Sequence, residues 1–196
     1  MTLFALDRVT CQRGGRLLFE GLDFALAAGE GVRLAGPNGS GKSSLLRLAA
    51  GLLEPVTGTV TRTVAGALAD EGIALDSERR LGDALRFWAS ASRLESAVEA
   101  FGLGDLLAVP VRLLSTGQLR RARLARVMAS GAPLWLLDEP LNGLDDDGVA
   151  RLDWAIAAHR ARGGAVLAAS HVALAGEWRT LELATAGEPR TLKSAR

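Results

Sequence analysis

The chain has no tyrosine, one cysteine, two histidines and two methionines among 196 residues, and only 5% of it is aromatic. Each scarcity removes a class of function. The single Cys11 excludes an internal disulfide and fits a reducing compartment; its neighbours suggest a half-buried strand position. One cysteine with His159 and His171 makes no cluster of soft ligands, so zinc and thiol mechanisms have no support. Neither sign of charge dominates. The formal net charge is +1, so no overall field favours nucleic acid or an anionic membrane. Uninterrupted apolar runs are short of the roughly 18 residues that a spanning helix needs. Asp7 and Arg8 break the N-terminal stretch where a signal peptide would require an apolar core. The expectation is a chain that does not itself span a membrane. Yet 48% of it is hydrophobic and its mean hydropathy is +0.18, so a partner is expected to cover part of its surface.

The length fits one domain. Short apolar runs alternate with helical patterns in the rhythm of a parallel sheet. Residues 31–36, 64–69, 133–138 and 165–170 read as strands, and a last strand is expected near 180–185. Residues 43–53 read as a helix, broken by "EPVTG" at 54–58. Residues 76–128 read as mainly helical with breaks at Gly102, Gly104 and Pro110. Val149, Leu152 and Ile156 give 149–160 one helix face, closed by Gly163 and Gly164. The first thirty residues alternate loosely about Gly14–Gly15 and read as antiparallel strands.

The strongest motif is "GPNGSGKSS" at 36–44. It fits G-x-x-x-x-G-K-[ST], follows a predicted strand and opens a predicted helix. Gly36, Pro37, Asn38, Gly39, Ser40 and Gly41 form a loop whose N–H groups turn inward. The helix start at Lys42, Ser43 and Ser44 adds partial positive charge. Lys42 suits the β- and γ-phosphates of ATP, and the Ser43 hydroxyl suits Mg²⁺. Asp138 ends the run "LWLLD", at the sheet edge where such folds bind ligands, and suits Mg²⁺ held through water. Glu139 follows and is placed to polarise an attacking water. Loop and acidic pair together predict a P-loop nucleotide hydrolase.

The segment "LSTGQ" at 114–118, immediately before "LRRARLARVM", resembles the signature of ABC-type ATPases, usually written LSGGQ. The resemblance implies that Ser115, Gly117 and Gln118 at the helix start receive the γ-phosphate of an ATP held by a second copy. The ATP-bound protein is then a head-to-tail homodimer. "NGLD" at 142–145 resembles the D-loop, with Asp145 facing the second site. "ASH" at 169–171 puts His171 in the switch-histidine position, orienting water with Glu139. The fold implied is a mostly parallel core sheet with an N-terminal antiparallel subdomain and a helical subdomain at roughly 76–128. Leu124, Val127 and Met128 form the expected buried stripe of the signature helix, with Arg120, Arg123 and Arg126 on another face. His159 is expected to be solvated near the negative end of its helix.

Three positions depart from the pattern. Thr116 replaces a glycine of the signature. Arg13 stands where an aromatic ring normally stacks on adenine; a guanidinium plane also stacks on a base. After "VAGALA" the chain has Asp70 and Glu71 where the family carries a glutamine that touches Mg²⁺. An aspartate at 70 would bind the ion, directly or through water.

The stretches 9–24, 35–55, 85–89 and 134–145 resemble the ATP-binding subunits of the haem exporter of cytochrome c maturation. This resemblance implies an ATP hydrolase at the cytoplasmic face of the inner membrane, bound to an integral CcmB-like permease with CcmC- and CcmD-like components. It would couple ATP use to haem export or to release of a haem-loaded chaperone. The partner contact is expected on 76–112, with Phe87 and Trp88 as candidates. Other readings are a subunit of another small-substrate transporter, a soluble ABC ATPase acting on nucleic acid, and a nucleotide sensor without turnover.

Overall fold

A computed structural model describes residues 1–70, 72 and 75–183. Two long strands, β1 (Thr2–Arg13) and β2 (Arg16–Ala27), form an antiparallel hairpin about Gly14 and Gly15, both at positive φ. β4 (Thr57–Arg62) pairs with the free edge of β1. The second sheet is parallel throughout, in the order β5 (Gly66–Ala69), β6 (Leu134–Asp138), β7 (Ala165–Ala169), β3 (Gly31–Ala35), β8 (Arg179–Glu182). β7 is buried at every position and β6 at all but its last, as a strand covered on both faces requires.

Two apolar clusters sandwich this sheet. On one face Phe4, Phe19, Leu26, Leu45 and Leu48 join the hairpin, the helix α1 (Lys42–Ala49), and Leu34 and Leu136 of the strands. On the other face the strands carry Trp135, Leu137, Val166 and Ala168. Against them lie α2 (Leu81–Arg86), α3 (Ala91–Ala100), α4 (Thr116–Ser130) and α5 (Asp146–Ala161). Since β7 lies between β6 and β3, the carboxyl ends of these strands stand side by side. That edge is where a doubly wound sheet presents its ligand site.

Several local expectations are corrected. α1 ends at Ala49, not at residue 53. Gly51 takes φ 72 and donates to the Leu48 carbonyl, while Leu52 donates to that of Arg47, closing the helix in a Schellman turn. β4 starts inside the break read at 54–58 and runs on through 59–62, a stretch given no element; its side chains are largely exposed, so no apolar alternation marked it. Cys11 is fully buried (1% exposed), and burial raises its thiol pKa.

His159 is not solvated. It is buried in α5, its ring stacked on Trp135 with centroids 4.0 Å apart and planes within 13°. Its Nε2 lies 3.1 Å from the Pro133 carbonyl, and burial lowers its pKa. Two arginines of α4 are buried as well. Arg120 and Arg126 are 5% and 4% exposed. Arg126 donates to the Leu68 carbonyl at the end of β5 and lies over the Trp88 ring at 4.9 Å. Burial lowers its pKa, and the nearby Asp70 carboxylate opposes that shift.

Candidate functional site

The three adjacent strand ends open into a cleft of about 570 Å³, lined by Asn38, Gly39, Gly41, Lys42, Ser43, Ser44, Asp138, Glu139, Asn142 and His171 on the sheet side. Arg13, Arg16 and Leu18 of the hairpin form its other wall. The loop 36–41 follows β3, and its last residue, Gly41, caps α1 at φ 102. A Cβ there would sit 3.0 Å from Phe19 and 3.1 Å from Leu18, so only glycine lets loop and hairpin approach this closely. The first backbone bond of α1 runs from Leu45 to the Gly41 carbonyl. The N–H groups of Lys42, Ser43 and Ser44 therefore have no acceptor within the helix and are available to an anion.

Lys42 is 8% exposed, and its ammonium donates to the carbonyls of Gly36 and Pro37 at 2.8 and 3.1 Å. The cation is thus held over the loop. Ser40 is 1% exposed, and its hydroxyl makes no hydrogen bond among the described residues, an orphan polar group inside the cradle. Arg16 approaches Gly39 from across the cleft: a Cβ on Gly39 would be 3.5 Å from its guanidinium.

Opposite the loop, the Glu139 carboxylate accepts from the His171 backbone at 3.4 Å, and its other oxygen lies 3.4 Å from the His171 Nε2. Glu139 takes φ 46, in the left-handed region that a non-glycine residue enters only under constraint. Its N–H donates to the Ala169 carbonyl at 2.9 Å, and its own carbonyl accepts from Asn142 and from Arg120.

The structure brings Lys42, Ser43, Asp138, Glu139, His171 and Arg13 to one cleft. Ser43 and Asp138, both hard oxygen donors lining that cleft, fit one Mg²⁺ that keeps waters or phosphate oxygens for its remaining positions. Asp70 does not join them. It is buried, pairs with Arg47 at 3.1 Å and lies outside the cleft lining, away from the Ser43 and Asp138 it was expected to join. Glu71 lies outside the described residues.

The signature residues stand apart from this cleft too. Ser115 and Gln118 form a capping box: the Ser115 hydroxyl accepts from Gln118 N–H at 3.3 Å, and the Gln118 side chain accepts from Ser115 N–H at 2.9 Å. Gly117 abuts the loop 142–145, where a Cβ would meet the Gly143 carbonyl at 3.0 Å. Asp145 caps α5 by accepting from the Gly148 N–H at 2.9 Å. Arg16, Asn142 and Arg120 were not anticipated. Arg16 had a usable signal, since it pairs with Arg13 across the hairpin turn.

Fold and cleft together define a P-loop nucleotide hydrolase. The ABC transporter family pattern matches residues 19–142. The chain is 60% identical over 175 residues to the cytochrome c biogenesis ATP-binding export protein CcmA of Novosphingobium aromaticivorans, covering 89% of this chain and 91% of that one. It is 57% identical over 178 residues to the protein of that name from Sphingopyxis alaskensis, covering 88% and 92%. Among solved structures, an ATP-binding subunit of an ABC transporter superposes with a TM-score of 0.84 at 23% identity, covering 96% of this chain and 90% of that one. A bacterial Atm1-family ABC exporter with ATP bound superposes at 0.81 and 21% identity, covering 93% and 37%. These two likenesses show the fold.

The chain belongs to the ABC transporter family, among its CcmA-like ATP-binding proteins. It binds and hydrolyses ATP, and no helix among the described residues is long and apolar enough to cross a membrane.

Proposed function

We propose that this ATPase drives a membrane complex of cytochrome c biogenesis, coupling ATP binding and hydrolysis to haem export or to release of a haem-loaded chaperone. The observation that carries the chemistry is the convergence of Lys42, Ser43, Asp138, Glu139 and His171 on one cleft at the carboxyl edge of the sheet. The names of the CcmA relatives support the biological setting.

In the proposed reaction the loop N–H groups and Lys42 hold the β- and γ-phosphates. Ser43 and Asp138 hold Mg²⁺, which neutralises phosphate charge when bound. Glu139 accepts a proton from the attacking water, and His171, beside it, orients that water towards the γ-phosphate. Arg13 and Arg16 bracket the base and phosphate ends of the nucleotide from the hairpin side.

Two copies pack head to tail around ATP. Ser115, Gly117 and Gln118 of each then face the γ-phosphate held by the other, and Asp145 stands beside the second site. The start of α4, where Ser115 and Thr116 are exposed and Ser115 and Gln118 cap each other, supports this arrangement. A CcmB-like permease, with CcmC- and CcmD-like components, docks on the helical lobe. There Phe87 and Trp88 are 79% and 39% exposed and pack edge to face at 5.1 Å. The chain then acts peripherally at the cytoplasmic face of the inner membrane.

The test is Glu139→Gln in the complex purified from membranes. ATP should still bind and should trap the dimer, while steady-state hydrolysis falls by about two to four orders of magnitude, the range for losing a general base. Hydrolysis at the parent rate would remove Glu139 from its role. A permease of another transport system co-purifying with the chain would overturn the biological assignment and leave the chemistry intact.

A further inference from the structure

The carboxylate that polarises water sits on an unfavourable backbone. Glu139 takes φ 46, yet it must aim its side chain at His171. Chain geometry gives no reason for a glutamate to stay there, so something must hold it. On the N–H side the tether is the Ala169 carbonyl of β7. On the carbonyl side there are two donors. One is the Asn142 N–H at 3.2 Å, part of the same turn. The other comes from a different element: the Arg120 guanidinium, in the second turn of α4, donates to the carbonyls of both Glu139 and Asp138, the latter at 2.9 Å.

We propose that Arg120 is a positioning residue for hydrolysis, clamping the backbone of Asp138 and Glu139 so that the Glu139 carboxylate stays on the attacking water. The chemistry favours an arginine. The ladder between β6 and β7 ends at Asp138, so the next carbonyl has no strand partner. A single terminal nitrogen of the Arg120 guanidinium, Nη2, serves both carbonyls with its two protons, at the end of a side chain long enough to reach the strand end from α4. Burial to 5% exposure excludes water from competing for those carbonyls. Arg120 does not line the cleft, so its effect on ATP passes through Glu139 and not through contact with the nucleotide.

The position of Arg120 has a further consequence, which rests on the dimer reading above. The same helix begins with the Ser115–Gln118 capping box, and Gly117 abuts Gly143 of the loop following Glu139. On that reading a displacement of α4 by the twin's γ-phosphate reaches this chain's own base through Arg120 and through the Gly117–Gly143 contact.

The experiment compares Arg120→Gln, Arg120→Lys and Glu139→Gln in the full chain, purified with its membrane partner. Hydrolysis is followed against ATP concentration, ATP affinity is measured separately by equilibrium binding, and folding is followed by thermal melting. Arg120→Gln should lower kcat about thirtyfold, equivalent to about 2 kcal/mol of barrier, with ATP affinity within about threefold of the parent. Arg120→Lys, which keeps a charged donor on a shorter side chain, should recover part of the rate.

A kcat for Arg120→Gln within threefold of the parent overturns the clamp. A joint fall of rate, ATP affinity and melting temperature also overturns it, since that marks a purely structural residue. If Arg120→Gln does not fold, Arg120→Lys decides: a reduced kcat with parent affinity supports the clamp, and a parent kcat refutes it. Loss of activity in Glu139→Gln beside normal Arg120 variants would sink the clamp alone. Parent activity in Glu139→Gln would sink the assignment of the base itself.

Discussion

Gly41 is the position where nucleotide chemistry and packing meet most closely, and Gly41→Ala makes that meeting measurable. The residue takes φ 102, beyond the left-handed well that an L-residue tolerates. Forcing alanine there costs about 1–2 kcal/mol in backbone strain. The new methyl would also lie 3.0–3.1 Å from Phe19 and Leu18, which are 1% and 9% exposed and cannot swing into water. Overpacking of that kind costs about 1–3 kcal/mol. The sum is about 2–5 kcal/mol, which for a domain of this size lowers the melting temperature by roughly 4–20 °C. Gly163 supplies the control. It takes φ 85 but has no atom within 4 Å of a built Cβ, so Gly163→Ala carries the strain without the clash. Differential scanning calorimetry should show the larger loss for Gly41→Ala. Relief of the clash must also shift the loop, so ATP affinity should fall about tenfold, the equivalent of one lost phosphate hydrogen bond. Gly163→Ala should bind ATP as the parent does. Equal melting losses for the two variants, or parent ATP affinity in Gly41→Ala, would refute the reasoning.

The buried stack of His159 on Trp135 makes stability depend on pH. Burial lowers the folded-state pKa below the ordinary 6.5, so the unfolded chain binds the extra proton first. Stability is then complete above pH 6.5 and falls as the pH drops below it. Urea melts from pH 8 to 5.5 should show this decline in the parent and a shallower one in His159→Phe; identical slopes would refute the assignment. Asp70 acts as the counter-charge between Arg47 and the buried Arg126. Asp70→Asn leaves Arg126 uncompensated, at a cost of about 3 kcal/mol. It should lower the melting temperature by roughly 6–12 °C while leaving the Mg²⁺ dependence of hydrolysis unchanged. A shifted Mg²⁺ titration would return Asp70 to the metal site.

The parallel core was legible because its signal is local. A run such as "LWLLD" is apolar at successive positions only when both faces are covered, and its acidic end marks the exposed edge. The phosphate loop was legible for the same reason, since its glycines, lysine and serine act through neighbouring backbone. β4 was not, because pairing with β1 is decided forty and more residues away and its outward side chains carry no periodic apolar mark. The end of α1 was legible in principle: Gly51 was in view, but the apolar run continued past it, and the left-handed cap outweighed that run.

The arginines of α4 show what periodicity cannot supply. Helical spacing sorts residues by direction, and the usual inference sends charges towards water. Here Arg120 and Arg126 point inward onto carbonyls near the ends of two strands: those of Asp138, the last ladder residue of β6, and of Glu139 just beyond it, and that of Leu68 in the edge strand β5. Such carbonyls demand donors when water is excluded, and a helix crossing the strand ends can meet that demand only with side chains long enough to reach. The need arises from where β5 and β6 stop relative to α4, a relation that exists only after folding. The arginine-bearing helix is therefore the element that closes the ends of the sheet. Its charges are spent on backbone groups of the same chain, next to the carboxylate that hydrolysis requires.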